Sequence, residues 1–367
     1  MKFQKQQLFP YVKYFNKSGA ATSGGFYSGF DSSGNLNTSL GKIDASLDFC
    51  LPNANLVAVC SLVEEELAYA KKELEVSDTY SNYESMLEHP NMDAVVIITS
   101  TNSHAEHIIK AMESGLHVFC EKPLSIDIEN CLKVEEEAKK HSNLIVMIGF
   151  NRRYDPSYVD AKKTIIENKV GKPFFVRSQT VDKDIWAPFQ VSFVKTSGGV
   201  FHDFNVHDVD LARWYIGSEV KRLWSQGGAY RFKEFGDLGD ADNTFVFCEF
   251  EDGSMALLGA SRTSSYGHDT FTEIIGTEGK LTVGNPPSKN RVQISDKHGV
   301  RNECNETFYD RFKDSFLIQV QDFVNSVLEG KQPECNLENA TKATIVTCAM
   351  TESFKTKGIV EIKDIMP

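Results

Sequence analysis

Runs of four or five apolar residues alternate with amphipathic segments between residues 51 and 150 of the chain. The runs are apolar almost throughout, as in parallel strands buried on both faces, and the segments between them repeat their apolar residues with the helical period. A repeated β-α-β order of this kind predicts a doubly wound parallel sheet in an α/β domain over residues 51–150. The predicted strands are 56–60, 94–98, 117–120 and 144–148, and the predicted helices are 64–74, 82–87, 103–114 and 128–140.

Beyond residue 151, strands follow one another with few helices between them. The pattern predicts an α+β domain over residues 151–335, built on a large, open and mostly antiparallel sheet. Asp252-Gly253 supplies the turn of a hairpin, and a helix and a short strand within residues 336–367 are expected to pack back onto the sheet. The strand-like runs of this region are 174–181, 220–226, 243–250, 254–261 and 271–275.

Residues 1–50 do not fit the pattern of the first domain. They contain Gly24-Gly25 and further glycines among Ser and Asn, and no strand is evident before them. A dinucleotide-binding domain opens with a strand, a G-x-G-x-x-G turn and a helix, and that glycine spacing is absent. We therefore leave residues 1–50 unassigned, as aberrant or disordered, and expect the chain as written to bind a dinucleotide weakly. Replacing them with a strand, a glycine turn and a helix is expected to tighten binding at least ~10-fold.

Composition and charge exclude several classes of protein. A length of 367 residues predicts two domains, and a net charge of −12 argues against a nucleic-acid partner, which requires a basic face. No apolar run approaches the ~18 residues of a membrane span, so no membrane partner is expected. The eight cysteines include no C-x-x-C pair, which indicates free thiols in a reducing compartment, and we expect a cytoplasmic protein.

The stretch H-V-F-C-E-K-P-L at 117–124 contains the first candidate functional residues. A buried strand ends there in a loop that presents Glu121 and Lys122, and Pro123 restricts the backbone of the lysine before it. Ligands of open α/β sheets bind outside the carboxyl ends of the strands, which is where this loop falls. A Glu-Lys pair in a loop is more often a solvated charge pair. Its position at the end of a buried strand nevertheless makes this pair a candidate for ligand binding.

The second motif is G-G-V-F-H-D-F-N-V-H-D-V-D at 198–210. Apolar residues from Val206 onwards predict a helix that ends at Gly217, and Asp203 and His207, four residues apart, project to one side of it. An imidazole, with an ordinary pKa near ~6.5, is suited to take the proton of a hydroxyl group at neutral pH.

Two other interpretations of this motif compete with a role in proton transfer. In the first, Asp203 and His207 only cap the helix or lie on its surface and have no catalytic role. His202, His207 and Asp208 are of the residue types that bind metals, but His202 and His207 lie five residues apart, about 140° around a helix, and therefore diverge. Since a metal needs convergent ligands, we expect no metal site.

Both motifs, in this order, resemble the signature of the Gfo/Idh/MocA family of NAD(P)-dependent sugar and polyol dehydrogenases, and the resemblance covers roughly residues 51–364. The segments at 149–155 (G-F-N-R-R-Y-D) and 197–214, with Ser261-Arg262, are most similar to the inositol 2-dehydrogenases of this family. The resemblance implies a Rossmann-like first domain and NAD or NADP as cofactor. It also implies oxidation of a ring hydroxyl of an inositol-like polyol or sugar to a ketone by hydride transfer.

The resemblance assigns roles to individual residues. His207 is expected to take the hydroxyl proton, Lys122 to stabilise the developing alkoxide, and Asp203 to accept hydroxyl hydrogen bonds and orient the imidazole. The expected substrate-binding residues are Lys122, Arg152, Asp203 and His207. For the segment that contains Arg152 and Arg153, the alternative is that Arg153 simply makes a surface salt bridge. The expected cofactor-binding residues are Ser61, Thr99, Ser100, Thr101, Asn102, His104, Glu121, Lys122 and Asn151.

The chain departs from the family pattern at two of these positions. Ser61 stands where the family often has an acidic residue for the ribose hydroxyls, and Ser100 stands where proline is usual. The serine at position 61 removes the argument for NAD over NADP, so both cofactors remain open.

A non-catalytic family member that senses a sugar or a dinucleotide, and acts as a binding or regulatory protein, is the competing interpretation. The missing glycine turn favours it. The retention of Lys122, Asp203 and His207 argues against it, because a pure binding module needs no proton relay. In either case the open sheet leaves one face available, and the resemblance implies a homodimer or homotetramer.

Overall fold

The computed structural model describes residues 10–15, 53–90 and 92–367. The chain divides into two compact units. The first unit combines Met1–Gly149 with Leu317–Thr341, and the second combines Phe150–Phe316 with Lys342–Pro367.

A six-stranded sheet with the order β3-β2-β1-β4-β5-β6 forms the first unit. Every adjacent pair of its strands is parallel, which confirms the doubly wound sheet predicted from the apolar runs. The strands are β1 (Pro10–Phe15), β2 (Asn55–Ser61), β3 (Asp78–Tyr80), β4 (Ala94–Ile97), β5 (His117–Cys120) and β6 (Val146–Ile148). The helices between them are α1 (Glu64–Glu73), α2 (Tyr83–Leu87), α3 (His104–Glu113) and α4 (Ile128–Lys140).

The first strand corrects the expectation that residues 1–50 contain none. β1 lies between β2 and β4, with Lys13 opposite Val59 on one side and Val96 on the other. The sequence pattern missed it because Lys13 interrupts its apolar residues, whereas the runs 56–60 and 94–98 in the neighbouring strands are apolar without interruption. The glycine-rich stretch that follows β1 lies outside the described residues.

The second unit is built on a seven-stranded sheet with the order β12-β11-β7-β10-β9-β8-β15. Only the β7–β10 pair of this sheet is parallel, so the mostly antiparallel sheet is confirmed. Its strands are β7 (Pro173–Lys183), β8 (Val220–Gly228), β9 (Asn243–Phe250), β10 (Met255–Ser264), β11 (Asp269–Gly276), β12 (Lys280–Val283) and β15 (Ile359–Glu361), and β13 (Gln293–Asp296) pairs separately with β14 (Gly299–Asn302).

Helices account for most of the remaining residues beyond position 150. In chain order they are α5 (Pro156–Ile166), α6 (Ala187–Ser197), α7 (Val206–Ile216), α8 (Lys233–Asp237), α9 (Phe308–Glu329) and α10 (Leu337–Thr356). Short 3-10 turns lie at Thr101–Ser103, Asn151–Tyr154, Asp184–Trp186 and Ile362–Asp364. Among the described helices, none combines the length and the apolar character needed to cross a membrane.

The boundary expected at residue 335 differs from the division seen in the structure. Leu317–Thr341, which includes most of α9, packs with the first sheet instead of the second. Phe323 makes an edge-on contact with Phe119 of β5, with 5.8 Å between ring centroids, and the N–H of Ile148 donates to the carbonyl of Cys335 at 2.9 Å. These contacts are distant in sequence, so no local pattern reveals them.

Candidate active site

The carboxyl ends of the first sheet gather the residues expected to meet a cofactor. Parallel pairing places these strand ends at one edge, and the sheet order reverses at β1, which has β2 on one side and β4 on the other. Open α/β sheets bind ligands outside such a reversal point. Ser61 is the last residue of β2, residues 99–104 follow β4, and Glu121 and Lys122 follow β5. The arrangement fits a dinucleotide.

His104 ties two of these loops together. Its Nδ1 lies 2.8 Å from the carbonyl oxygen of Pro123 and its Nε2 lies 3.0 Å from that of Thr99. Burial lowers the pKa of His104, while the two carbonyl oxygens oppose the shift by favouring a proton on each nitrogen. Since the side chain has no exposed surface, we reinterpret His104 as a residue that positions the loops after β4 and β5 and not as a direct cofactor contact.

The polar residues of the loop after β4 differ in their solvent exposure. Thr99 and Thr101 are buried, Ser100 is 9% exposed, and Asn102 is exposed. The hydroxyl of Thr99 lies 3.3 Å from Nδ1 of His107, which holds it within the unit. Asn102 therefore offers its side chain to a ligand most directly in this loop.

Glu121 and Lys122 are both buried at the end of β5. Burial raises the pKa of Glu121 to about 7, although the neighbouring positive charge of Lys122 and its N–H, which donates to Oε2 at 3.2 Å, favour the carboxylate. A Cβ at Gly149 would lie 3.1 Å from the Glu121 carboxyl group, so the glycine makes room for it. The pair is thus enclosed and is not a solvated loop pair.

The Ser61 side chain forms hydrogen bonds within the segment that leads into α1. Its hydroxyl accepts a hydrogen bond from the N–H of Val63 at 3.0 Å and donates one to Oε2 of Glu66 at 2.6 Å. The side chain is fully buried, so Ser61 orients the entry to α1 and brings the Glu66 carboxylate to the end of β2. The sequence motifs do not predict this position of Glu66.

In the second unit, Asp203 and His207 lie where a helix changes its winding. A π-helical turn (Phe201–Asn205) leads into α7, which ends at Gly217 with a φ of 75° as expected. The π turn was not predicted, and such turns widen the helix locally and frequently occur at functional sites. Asp203 is buried within the turn, and His207 is partly exposed in the first turn of α7.

A buried ion pair fixes α7 against β7. Arg152 donates to Asp208 at 3.1 Å and to the hydroxyl of Thr180 at 2.6 Å, while Ser178 and Thr180 donate to Asp208 at 2.7 and 2.8 Å. Burial raises the pKa of Asp208, and Arg152 and the two hydroxyls oppose that rise. Arg152 was expected to bind substrate, but in the structure its guanidinium binds Asp208, the residue next to His207.

The neighbouring arginine forms a second buried pair. Arg153 donates from Nε and Nη2 to the two carboxylate oxygens of Asp210 at 2.8 and 2.6 Å. Both side chains are almost fully enclosed, so the surface salt bridge expected for Arg153 is instead an internal one. Asn151, expected at the cofactor, opens the same 3-10 turn and is also buried.

The start of the motif is held by Asp240. Its Oδ1 accepts from the N–H of Val200 at 3.1 Å, and its Oδ2 accepts from Arg262 at 2.7 Å. Arg262 is fully buried and its guanidinium lies over the ring of Phe235, 4.4 Å from the centroid. Gly199 has a φ of 85°, and a Cβ there would lie 3.0 Å from Asp240, so only glycine fits.

The alternative metal set does not assemble. His202 shares a hydrogen bond of 3.0 Å with Thr347, and burial lowers its pKa to about 4. Asp208 is paired with Arg152. Within the part of the chain that the structure describes, no group of three or more His, Cys, Asp or Glu residues has the geometry to hold a metal ion.

Comparisons with known proteins agree with this geometry. Two family models match the chain, "Oxidoreductase family, NAD-binding Rossmann fold" over residues 43–150 and "GFO/IDH/MocA C-terminal domain" over residues 158–282. The chain is 31% identical over 328 residues to the myo-inositol 2-dehydrogenase of Thermotoga maritima, covering 89% of this chain and 97% of that protein. The chain belongs to the Gfo/Idh/MocA oxidoreductase family. Its predicted family is thereby confirmed.

Two further proteins are similar to this chain over most of its length. The scyllo-inositol 2-dehydrogenase (NAD(+)) of Bacillus subtilis is 35% identical over 305 residues, which are 83% of this chain and 88% of that protein. A crystal structure of scyllo-inositol dehydrogenase from Lactobacillus casei, with bound cofactor NAD(H) and scyllo-inositol, aligns with a TM-score of 0.87 and 31% identity. That alignment covers 97% of this chain and 99% of the other.

Proposed function

We propose that this chain catalyses the NAD-dependent oxidation of one ring hydroxyl of an inositol-like cyclic polyol to a ketone. The observation that carries the proposal is its similarity, over 97% of its length, to a dehydrogenase whose structure contains NAD(H) and scyllo-inositol. The relatives named above are likewise inositol 2-dehydrogenases, one of them described as using NAD(+). Within the inositol class, scyllo- and myo-inositol are the first substrates to test.

The residues at the carboxyl edge of the first sheet are proposed to hold the cofactor. NAD, when bound, accepts the hydride that leaves the ring carbon. The exposed Asn102 and the enclosed Glu121 and Lys122 are the proposed contacts after β4 and β5, while His104 keeps both loops in place. The N-terminal end of a helix, as at α3, favours the negative charge of a phosphate group.

His207, Lys122 and Asp203 are proposed to handle the hydroxyl group. His207 takes the hydroxyl proton, because a neutral imidazole is a suitable base near pH 7. The Lys122 ammonium stabilises the alkoxide as it forms, and Asp203 accepts a hydrogen bond from the polyol. Arg152 contributes indirectly, because it holds Asp208 and thereby the first turn of α7.

The proposal is tested by supplying NAD or NADP together with myo-inositol, scyllo-inositol and D-glucose and following the absorbance of the reduced nicotinamide. We expect reduction with an inositol isomer and NAD. Cofactor binding by calorimetry without reduction in any mixture would contradict the proposal and support a sensor that does not turn over. His298→Ala, at an exposed position in the β13–β14 hairpin, is the matched control for variants of His207.

We also propose that the open face of the second sheet is covered by another copy of the chain. Ile359, Trp224, Phe247 and Leu257 are consecutive cross-strand partners, and the first three are 67%, 47% and 42% exposed. Such contiguous apolar rows mark interaction surfaces, and a two-fold interface is self-complementary. Light scattering should give a dimer or tetramer that Phe247→Glu dissociates. Ile166→Glu, at an exposed apolar residue of α5, should leave the mass unchanged.

A cytoplasmic location is proposed on the state of the thiols. The cysteines of the described segments are free, and most are buried, which suits a reducing compartment. Fractionation of cells that express a tagged chain tests this location, and enrichment of the tag in an oxidising compartment would contradict it.

A further inference from the structure

Polar residues line the face of the second sheet that packs against α7, where β7 and β11 run side by side. The Ser178 hydroxyl lies 2.9 Å from that of Thr272 at one end of this face, and Nδ1 of His268 lies 2.8 Å from Asp182 at the other. Side chains alternate between the two faces of a strand, so every second residue between these pairs shares the face. The six buried residues of the face are Ser178, Thr180, Asp182, Thr272, Thr270 and His268. Because buried polar groups need hydrogen-bond partners, each of these side chains is expected to have one.

The two ends of this face differ in how their polar atoms are satisfied. The Ser178 hydroxyl donates to an aspartate of α7 at 2.7 Å. At the other end, none of the described residues supplies a partner to the hydroxyl of Thr270 or to Nε2 of His268, and both atoms are buried. Within the same part of the chain, buried Oε1 of Gln190 in α6 also lacks a partner. Since a buried polar atom without a partner is costly, these three atoms point to a polar ligand.

Asp182 determines which kind of ligand these atoms can bind. A carboxylate only accepts hydrogen bonds, so Nδ1 of His268 donates to Asp182, and Nε2 of the neutral imidazole is left as an acceptor. Nε2 of Gln190 donates to the other oxygen of Asp182 at 2.8 Å, which leaves Oε1 as a second acceptor. Thr270 adds a hydroxyl. Two acceptors and a hydroxyl match the hydroxyl groups of a neutral polyol, whereas a phosphate or carboxylate ligand would offer no donors and would be repelled by the Asp182 charge.

The same face leads to the proposed proton acceptor. Thr180 donates to Asp208 at 2.8 Å, and Asp208 is next to His207 in α7. Asp182 lies two residues beyond Thr180 on β7, about 7 Å along the strand, and Thr270 lies opposite Thr180. The atoms without partners therefore adjoin the part of the sheet that holds the first turn of α7.

We infer that Thr270, His268 and Gln190 form a hydroxyl-binding subsite, which holds a ring hydroxyl of the polyol other than the one that His207 deprotonates. Asp182 orients two of the three side chains. The inference rests on the proposed function, since it assumes a polyol substrate, and it deepens that function by naming side chains that select a neutral, polyhydroxylated ring.

Calorimetric titration of the full chain with myo-inositol and with scyllo-inositol, both in saturating NADH, tests the inference. NADH cannot accept a hydride, so binding is measured without turnover. Thr270→Val and His268→Phe should each weaken binding of the tighter isomer roughly 3–10-fold, because each removes one hydrogen bond to the ligand. His268→Phe keeps a ring beside Phe308 and Phe312. The affinity of both variants for NADH should stay within about 2-fold of wild type.

Thermal unfolding separates a ligand contact from a structural role. The Thr270 hydroxyl has no partner among the described residues, so Thr270→Val should leave the melting temperature unchanged or raise it while inositol binding weakens. Thr282→Val, at an exposed threonine of the neighbouring strand β12, is the matched control. It should change neither the melting temperature nor the affinity for inositol.

Four results would overturn the inference. These are an unchanged inositol affinity in both variants, an equal loss of NADH affinity, a lower melting temperature of Thr270→Val, or no binding of either inositol by the wild-type protein. If His268→Phe does not fold, Thr270→Val decides alone. Failure of the proposed function looks different: the inositol affinities would fall as expected while no polyol yields reduced nicotinamide from NAD.

Discussion

The two units each contain a buried carboxylate beside proposed catalytic residues, and the two carboxylates are compensated differently. Glu121, in the first unit, accepts the N–H of Lys122 at 3.2 Å, and burial raises its pKa to about 7. Asp208, in the second unit, accepts from Arg152 and from two hydroxyl groups at distances between 2.7 and 3.1 Å. Equal burial therefore leaves one acid close to protonation at neutral pH and ties the other into an ion pair.

The difference separates two ways of holding reactive groups in place. In the first unit, His104 fixes the loops by hydrogen bonds to backbone carbonyls. In the second unit, the segment that carries Asp203 and His207 is held by buried Arg–Asp pairs. These pairs are Arg152–Asp208, Arg153–Asp210 and Arg262–Asp240. Replacing one partner of a buried Arg–Asp pair in the second unit should lower the free energy of unfolding. Replacing Glu121 should leave that free energy unchanged or raise it.

The largest effect is expected on catalysis, for which we propose one residue of the first unit and one of the second. His207→Ala and Lys122→Ala should each lower kcat by roughly 10²–10⁴-fold, because each removes a group that acts on the hydroxyl proton or on the alkoxide. The fold should persist, as judged by circular dichroism, and His298→Ala should keep the wild-type kcat. Near-normal turnover in both variants would remove these residues from the mechanism.

The ion pairs of the second unit predict the next largest effect. Asp208→Asn should lower the free energy of unfolding by about 3 kcal/mol, because the Arg152 guanidinium would remain buried without its counter-charge. Lys133→Gln breaks an exposed pair with Glu129 on α4 and should cost less than about 1 kcal/mol. Denaturant unfolding measures both. Equal, small losses would show that the buried pair contributes no more than the surface one.

The sequence predicts the strands of the first sheet well where they are apolar without interruption. β4 (Ala94–Ile97) is such a strand, and its burial on both faces requires that composition. β1 was missed because a lysine interrupts it, and its place in the sheet follows from pairing with strands distant in sequence. The π turn before α7 was missed because a helical pattern assumes a constant period of ~3.6 residues.

For the candidate site, too, the sequence predicts only part of what the structure shows. The two motifs locate Lys122, Asp203 and His207, but they do not show which neighbours are already committed to internal contacts. The Arg152–Asp208 pair joins residues 56 positions apart, and the Ser61–Glu66 bond depends on how the chain turns into α1. The adjacent arginines at 152–153 and the aspartates at 208 and 210 are a signal of ion pairing that can be read from the sequence.

The smallest predicted effect is the most specific test of the contrast between the two acids. Because burial raises the pKa of Glu121 from its ordinary value of 4.5 to about 7, the folded state retains a proton that the unfolded state has lost between these values. The free energy of unfolding should therefore fall as the pH rises from 4.5 to 7 and level off above 7, with a total change of up to about 3 kcal/mol. Glu121→Gln removes this dependence, so the variant should gain stability relative to wild type at pH 8 and little at pH 5. Glu129→Gln, at an exposed acid of α4, is the control and should leave the pH dependence unchanged. Denaturant unfolding at both pH values measures the difference, and parallel behaviour of wild type and Glu121→Gln would show that Glu121 is compensated as fully as Asp208.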